Sequence, residues 1–192
     1  MTQTPAKLPE DSSKLPFGHV FTDHMLTINW SHGNWSKPNI EPLKHFSIHP
    51  AAKVLHYAIE LFEGMKAYRG VDGKVRLFRP DLNMSRMHRS THRSALPVSI
   101  LLSILFSNSY IIIGLLIKDY DKEEFLKCLI KFVSTEKAWV PKEAKASLYL
   151  RPTFIATEVS SFFFKFNLNL IVTKLYNSQH WVLAKEIQLY FI

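Results

Sequence analysis

The sequence predicts an α+β domain, a small antiparallel sheet with helices packed on one side. Three observations point to it. Residues 24–30 and 146–155 alternate in side-chain character with the period of a half-buried strand. Asp72-Gly73 lies between two short strand-like runs and readily takes the positive φ angles of a tight hairpin. Residues 121–135 carry apolar side chains at helical spacing.

The first strand spans 24–30, with His24, Leu26, Ile28 and Trp30 on one face and Met25, Thr27 and Asn29 on the other. Residues 31–42, holding Gly33, Asn34, Pro38 and Asn39, read as a loop. A short helix is expected over 55–62, closed by Gly64. Residues 66–69 and 74–78 form the hairpin strands, and Glu63-Gly64 reads as a turn rather than as a catalytic acid. The next helix runs over 80–95, with Asp81 as its cap and Leu82, Met84 and Met87 as its apolar side. Arg86, Arg89 and Arg93 repeat at i, i+3 and i+7 and share one face.

In the helix over 121–135, Asp121 followed by Glu124 resembles a capping box, and Phe125, Leu126, Leu129, Ile130 and Val133 give the buried stripe. The strand over 146–155 sets Ser147, Tyr149 and Arg151 on one face and Leu148 and Leu150 on the other. Residues 1–16 are polar, with neither an apolar signal core nor an arginine, and read as a flexible arm.

Composition bounds the function classes. Hydrophobic residues make up 47% and charged residues 21%, as in a globular protein. Cys128 is the sole cysteine, which excludes an internal disulfide framework. The net charge of +8 suits an anionic partner as well as a solvated basic surface, and the densest basic stretch is 66–93. His88 and His92, spaced i, i+4, are poor evidence for a metal among nine scattered histidines.

The motifs carry a resemblance. Phe21-Thr22-Asp23-His24-Met25-Leu26, Leu55-His56-Tyr57 and Leu61-Phe62-Glu63-Gly64-Met65-Lys66-Ala67-Tyr68 come in one order. Arg76-Leu77-Phe78-Arg79-Pro80, Leu82-Asn83-Met84, Arg86-Met87, Trp139-Val140-Pro141 and Ser147-Leu148-Tyr149-Leu150-Arg151-Pro152 follow. In that order they resemble the branched-chain amino-acid aminotransferases, over about 17–97 and 121–158.

The resemblance implies a pyridoxal 5'-phosphate (PLP) enzyme of fold type IV. It implies amino transfer between leucine, isoleucine or valine and 2-oxoglutarate, in branched-chain amino-acid biosynthesis and catabolism. It also implies a homodimer, cytoplasmic or mitochondrial in location, with cytoplasmic preferred here. Residues 17–158 would be the small N-terminal domain, interrupted by an apolar insert at 98–120, and 159–192 an unmatched tail. The large domain would be mostly absent.

By the same resemblance Arg86 holds the PLP phosphate, and a guanidinium suits that task because its charge is permanent and its donors form a fork. Phe17, Tyr57, Phe62, Tyr149 and Arg151 fall at substrate-pocket positions, with Arg151 for the distal carboxylate of glutamate and the rings for branched side chains. Core packing is the plain alternative for Phe62, and an ordinary exposed strand face is the alternative for Tyr149 and Arg151. The lysine that holds PLP covalently and the acid beside its ring nitrogen belong to the family's large domain. No lysine here lies in the matching motif, and Lys66 is expected on the surface. The chain is therefore expected to be inactive alone.

Both breaks in the resemblance begin with Val-Ser, at Val98-Ser99 and Val159-Ser160. The codons GTA AGT encode this pair and commonly start a eukaryotic intron, so translated intron is one reading of both segments. Three rival readings stand beside the enzyme fragment. One is a non-catalytic isoform that binds full-length subunits through the dimer surface. Another is a domain anchored in a membrane by residues 98–117, which carry no charge. The last is a nucleic-acid binder built on the basic stretch.

Overall fold

In the computed structural model, the structure describes residues 2, 4–11, 15–31, 34–94, 96, 120–143, 146–159, 165–174 and 189–191, the last two stretches as backbone only. The elements in chain order are β1 (His24–Ser31), β2 (Asn34–Trp35), β3 (Asn39–Pro42), α1 (Lys53–Tyr57), β4 (Glu60–Phe62), β5 (Met65–Arg69) and β6 (Val75–Phe78). Then come α2 (Pro80–Arg93), α3 (Lys122–Thr135), a 3-10 turn at Lys137–Trp139, β7 (Leu148–Ala156), β8 (Lys165–Lys174) and β9 (Leu189–Phe191).

The architecture is α+β as expected, but the sheet is larger. Among the described residues nine strands run in the order β2-β1-β8-β7-β5-β6-β9, with β3 also on β1 and β4 also on β7. Every pairing is antiparallel. Helices α2 and α3 pack on one face. Met84, Met87, Phe125, Leu129 and Phe132 meet Leu26, Ile28, Met65, Leu77, Leu148 and Leu150 in one core. The burial of these side chains, each contributing about 1.5–3 kcal/mol, holds helix layer to sheet.

Local chemistry sets the boundaries. Asp121 caps α3 by accepting from the backbone N–H of Glu123 at 2.8 Å and of Glu124 at 3.1 Å. Those two N–H groups hold its carboxyl below the usual carboxylate range. Helix α2 differs from expectation, because Asp81 lies in its first turn and the cap position is Arg79, with φ 44° and no side-chain cap. Pro80 at the first helical position loses nothing there, since its missing N–H would have had no partner within the helix. Leu82, assigned to the apolar side, is exposed.

In the hairpin, Gly73 has φ 77° and Asp72 binds Arg76 through both carboxylate oxygens at 2.8 and 2.6 Å. That pair is the first cause holding the Asp72 carboxyl far below its ordinary range.

Three other expectations change. The helix over 55–62 shrinks to α1, because Ala58 turns left-handed at φ 49° and Glu60–Phe62 pairs with Thr153–Ile155 of β7. The loop over 31–42 contains β2 and β3, whose backbones complete the free edge of β1. The arm over 1–16 is tied at two described points: Thr2 N–H donates to His24 Nε2 at 2.9 Å and Ala6 N–H to Asp23 Oδ1 at 2.8 Å.

The insert expected at 98–120 lies outside the described residues except for Tyr120, so its membrane and intron readings do too. Among the described residues no helix is long and apolar enough to cross a membrane. Of the unmatched tail, 165–174 forms β8 between β1 and β7, and 189–191 forms β9 on β6.

Candidate functional site

A break in the sheet organises the site. Strands β4 and β5 pair with β7 in a single register, Phe62 opposite Thr153 and Met65 opposite Leu150. The interruption at Glu63-Gly64 falls opposite Arg151-Pro152, where Pro152 has no N–H for the ladder. The Pro152 carbonyl still accepts from Glu63 N–H at 3.0 Å. Glu63-Gly64 is therefore not a turn but an opening in a continuous strand direction.

Glycine is required there. A Cβ on Gly64 would run into Tyr149 Oη, so the phenol crosses the strand in this position only where residue 64 has no side chain. Tyr149 and Arg151, two residues apart on β7, share a face. Arg151 donates from Nε and Nη2 to Tyr149 Oη at 3.1 and 2.8 Å. Its guanidinium carbon lies 4.1 Å from the Phe62 ring centroid, a cation–π contact. Phe17 meets the Tyr149 ring edge-on at 5.4 Å between centroids. Four of the expected substrate residues, Phe17, Phe62, Tyr149 and Arg151, thus form one cluster.

Arg86, from α2, lines a neighbouring open cleft of about 360 Å³ with Gly64, Lys66, Arg79, Asn83 and Tyr149. The guanidinium is half exposed and bound on one edge: Nε donates to Glu63 Oε1 at 2.9 Å and Nη2 to Glu63 Oε2 at 2.8 Å. Glu63 holds the Arg86 charge more firmly than usual, raising its pKa. Asn83, buried on α2, donates its amide to Glu63 Oε2 at 2.6 Å and to the Gly64 carbonyl at 2.8 Å.

Tyr57 is not brought to this cluster. It ends α1, 73% exposed, beside the His56 ring. Lys66 is half-buried on β5 opposite Tyr149 and lines the cleft instead of pointing away from it. Sequence reasoning missed Glu63 and Asn83 as parts of the site. The signal for Asn83 was a polar residue placed among Leu82, Met84 and Met87; for Glu63 it was an acid just ahead of the most basic stretch, 66–93.

A second polar cluster ties the sheet to α3. His24 Nδ1 donates to Glu136 Oε1 at 2.5 Å, with both side chains buried. Burial raises the Glu136 pKa above the ordinary carboxylate range, and His24 works against that rise. Asp23 Oδ2 accepts from Trp139 Nε1 at 3.1 Å, and Arg69 donates to the Lys137 and Val140 carbonyls just past α3.

No protein-family model matches the chain. It is 51% identical to the cytosolic branched-chain-amino-acid aminotransferase of Mus musculus over 161 residues, 82% of this chain and 36% of that protein. It is 43% identical to the mitochondrial branched-chain-amino-acid aminotransferase of the same species, over 83% of this chain and 36% of that protein. The chain spans about a third of the length of the curated relatives it matches. Among solved structures, the branched-chain aminotransferase of Thermoproteus uzoniensis is 18% identical, with a TM-score of 0.48, over 77% of this chain and 40% of that one.

Proposed function

The matched part of this chain belongs to the branched-chain-amino-acid aminotransferase family, and from that premise we propose that residues 17–158 form one wall of a PLP-dependent transaminase site. The reading assigns them to the small domain of a fold type IV enzyme. The reaction is amino transfer between leucine, isoleucine or valine and 2-oxoglutarate. The observation that carries the reading is the cleft itself, where Arg86 stands beside the Tyr149–Arg151–Phe62–Phe17 cluster.

The residues fit the cofactor's phosphate. One edge of the Arg86 guanidinium is taken by Glu63, while no described residue bonds Nη1. That leaves the Nη1–Nη2 edge for an anion, with Lys66 and Arg79 adding positive charge to the same cleft. When bound, PLP supplies an electron-withdrawing ring that accepts the charge left as the substrate's Cα–H bond breaks.

The chain's own residues select the substrate. Phe17 and Phe62 offer apolar surface to a branched side chain. Arg151 has no carboxylate partner among its described contacts, so it meets the distal carboxylate of glutamate or 2-oxoglutarate as a bidentate partner. Tyr149 fixes the Arg151 plane through its oxygen and keeps its own proton to donate.

These 192 residues bind but do not turn over by themselves. Glu63, bonded to the cleft residues Arg86 and Asn83, is occupied by them and is not free to face a ring nitrogen. The higher identity to the cytosolic relative favours a cytosolic over a mitochondrial location, and the family likeness supports a homodimer. The test is to add PLP to the purified chain, treat it with borohydride and assay leucine with 2-oxoglutarate. The reading expects reversible PLP binding and no turnover. Stoichiometric covalent PLP with turnover overturns it.

A further inference from the structure

The carboxylate at the strand break carries more than its place in a family motif. Glu63 sits where the β7 ladder is interrupted by Pro152, so its backbone is held by one bond to the Pro152 carbonyl and its side chain turns to α2. There it accepts three donors: Arg86 Nε, Arg86 Nη2 and Asn83 Nδ2. Asn83 is 6% exposed and ties the same carboxylate to the Gly64 carbonyl. Arg86, by contrast, has its side chain 48% exposed on a helix surface. A half-exposed arginine without a partner samples many rotamers, and ordering it on an anion costs side-chain entropy.

We propose that Glu63 is a positioning residue for Arg86, fixing the guanidinium by its Nε–Nη2 edge so that the Nη1–Nη2 edge is presented to a phosphate group in the cleft. This rests on the reading of Arg86 as a phosphate holder. Two opposing effects make the assignment decisive. Removing a carboxylate beside a cation raises the local potential and, by charge alone, tightens anion binding. Removing the clamp frees the arginine and weakens binding. Positioning therefore predicts the sign that electrostatics forbids.

The experiment uses the full 192-residue chain, inorganic phosphate as probe and titration calorimetry at constant ionic strength. Glu63→Ala is expected to bind phosphate about fivefold to tenfold more weakly than the parent. Glu63→Gln, which keeps one acceptor and the packing, is expected to fall between the two, and it carries the test if the alanine variant does not fold. The Arg86 Nε–H resonance, assigned through Arg86→Lys, is expected to be sharp and downfield in the parent and lost in Glu63→Ala. Equal or tighter phosphate binding in both Glu63 variants, with Arg86→Ala still weakening it, overturns the positioning role and leaves the phosphate reading standing. Phosphate binding unchanged in Arg86→Ala overturns both.

Discussion

Two glutamates in this molecule each gather a cation-forming partner, and they do opposite things with it. Glu136 closes the C-terminal end of α3 and is buried against His24, whose other ring nitrogen accepts from Thr2 N–H. Glu63 stands at a gap in the sheet and holds Arg86, which remains half exposed. The first contact is sealed, so its energy goes into joining sheet, helix and N-terminal arm. The second is open on its far side, so its energy orients a charge that still faces a cleft. The difference teaches that burial of the partner, not the residue pair, separates a structural carboxylate from one that serves a site.

The largest effect tests the sealed side. Glu136→Ala leaves the His24 Nδ1–H buried without an acceptor and opens a cavity, and is expected to cost about 3 kcal/mol in chemical denaturation. A loss no larger than that of a surface substitution would put Glu136 with Glu63 and erase the contrast. Next is Gly64→Ala. Its Cβ meets Tyr149 Oη, so the phenol must move; about 1–2 kcal/mol of stability is expected to go, together with the Arg151–Tyr149 bonds. Tyrosine fluorescence and melting temperature report the two losses. Glu63→Ala is expected to cost under about 1 kcal/mol, because the ion pair it removes is solvent-screened on the Arg86 side. A cost equal to that of Glu136→Ala would make the Arg86 clamp a fold element.

Much of this was legible in the sequence. The stripes of α2 and α3 repeat over fourteen residues each, long enough for periodicity to speak, and Asp72-Gly73 declares its hairpin. Strand β4 was not legible, since Glu60–Phe62 is too short to show a period and exists only because β7 pairs with it. Strands β2 and β3 hide among Gly, Asn and Pro for the same reason. In β8 the alternation of Phe166, Leu168, Leu170 and Val172 with Asn167 and Asn169 carries a strand signal, masked by the Phe162–Phe164 run beside it. Arg86 and the Phe17, Phe62, Tyr149 and Arg151 set came from motif likeness. Glu63 did not, because its bond to Arg86 spans 23 residues and no local pattern announces it.

A smaller effect separates carboxylates by pH. Burial raises the Glu136 pKa, so the folded protein holds that proton more tightly than the unfolded chain does. The stability it contributes is full below about 4.5, the unfolded value, and is lost as pH rises through the folded value. Asp72 runs the other way: its pKa is lowered, chiefly by Arg76, so its contribution is present above 3.8 and lost as pH falls through the folded value. Denaturant midpoints measured across that range are expected to fall less with rising pH in Glu136→Gln, and to fall less with acid in Asp72→Asn, the smallest change of all.

The most direct test of the Arg86 cleft compares PLP with pyridoxal, which differs only in the phosphate. Binding of both to the parent chain and to Arg86→Ala is followed by fluorescence quenching. The account predicts that PLP binds the parent about tenfold or more tightly than pyridoxal does, and that the gap closes in Arg86→Ala. Equal binding of the two aldehydes to the parent, or a gap that survives loss of the guanidinium, contradicts it.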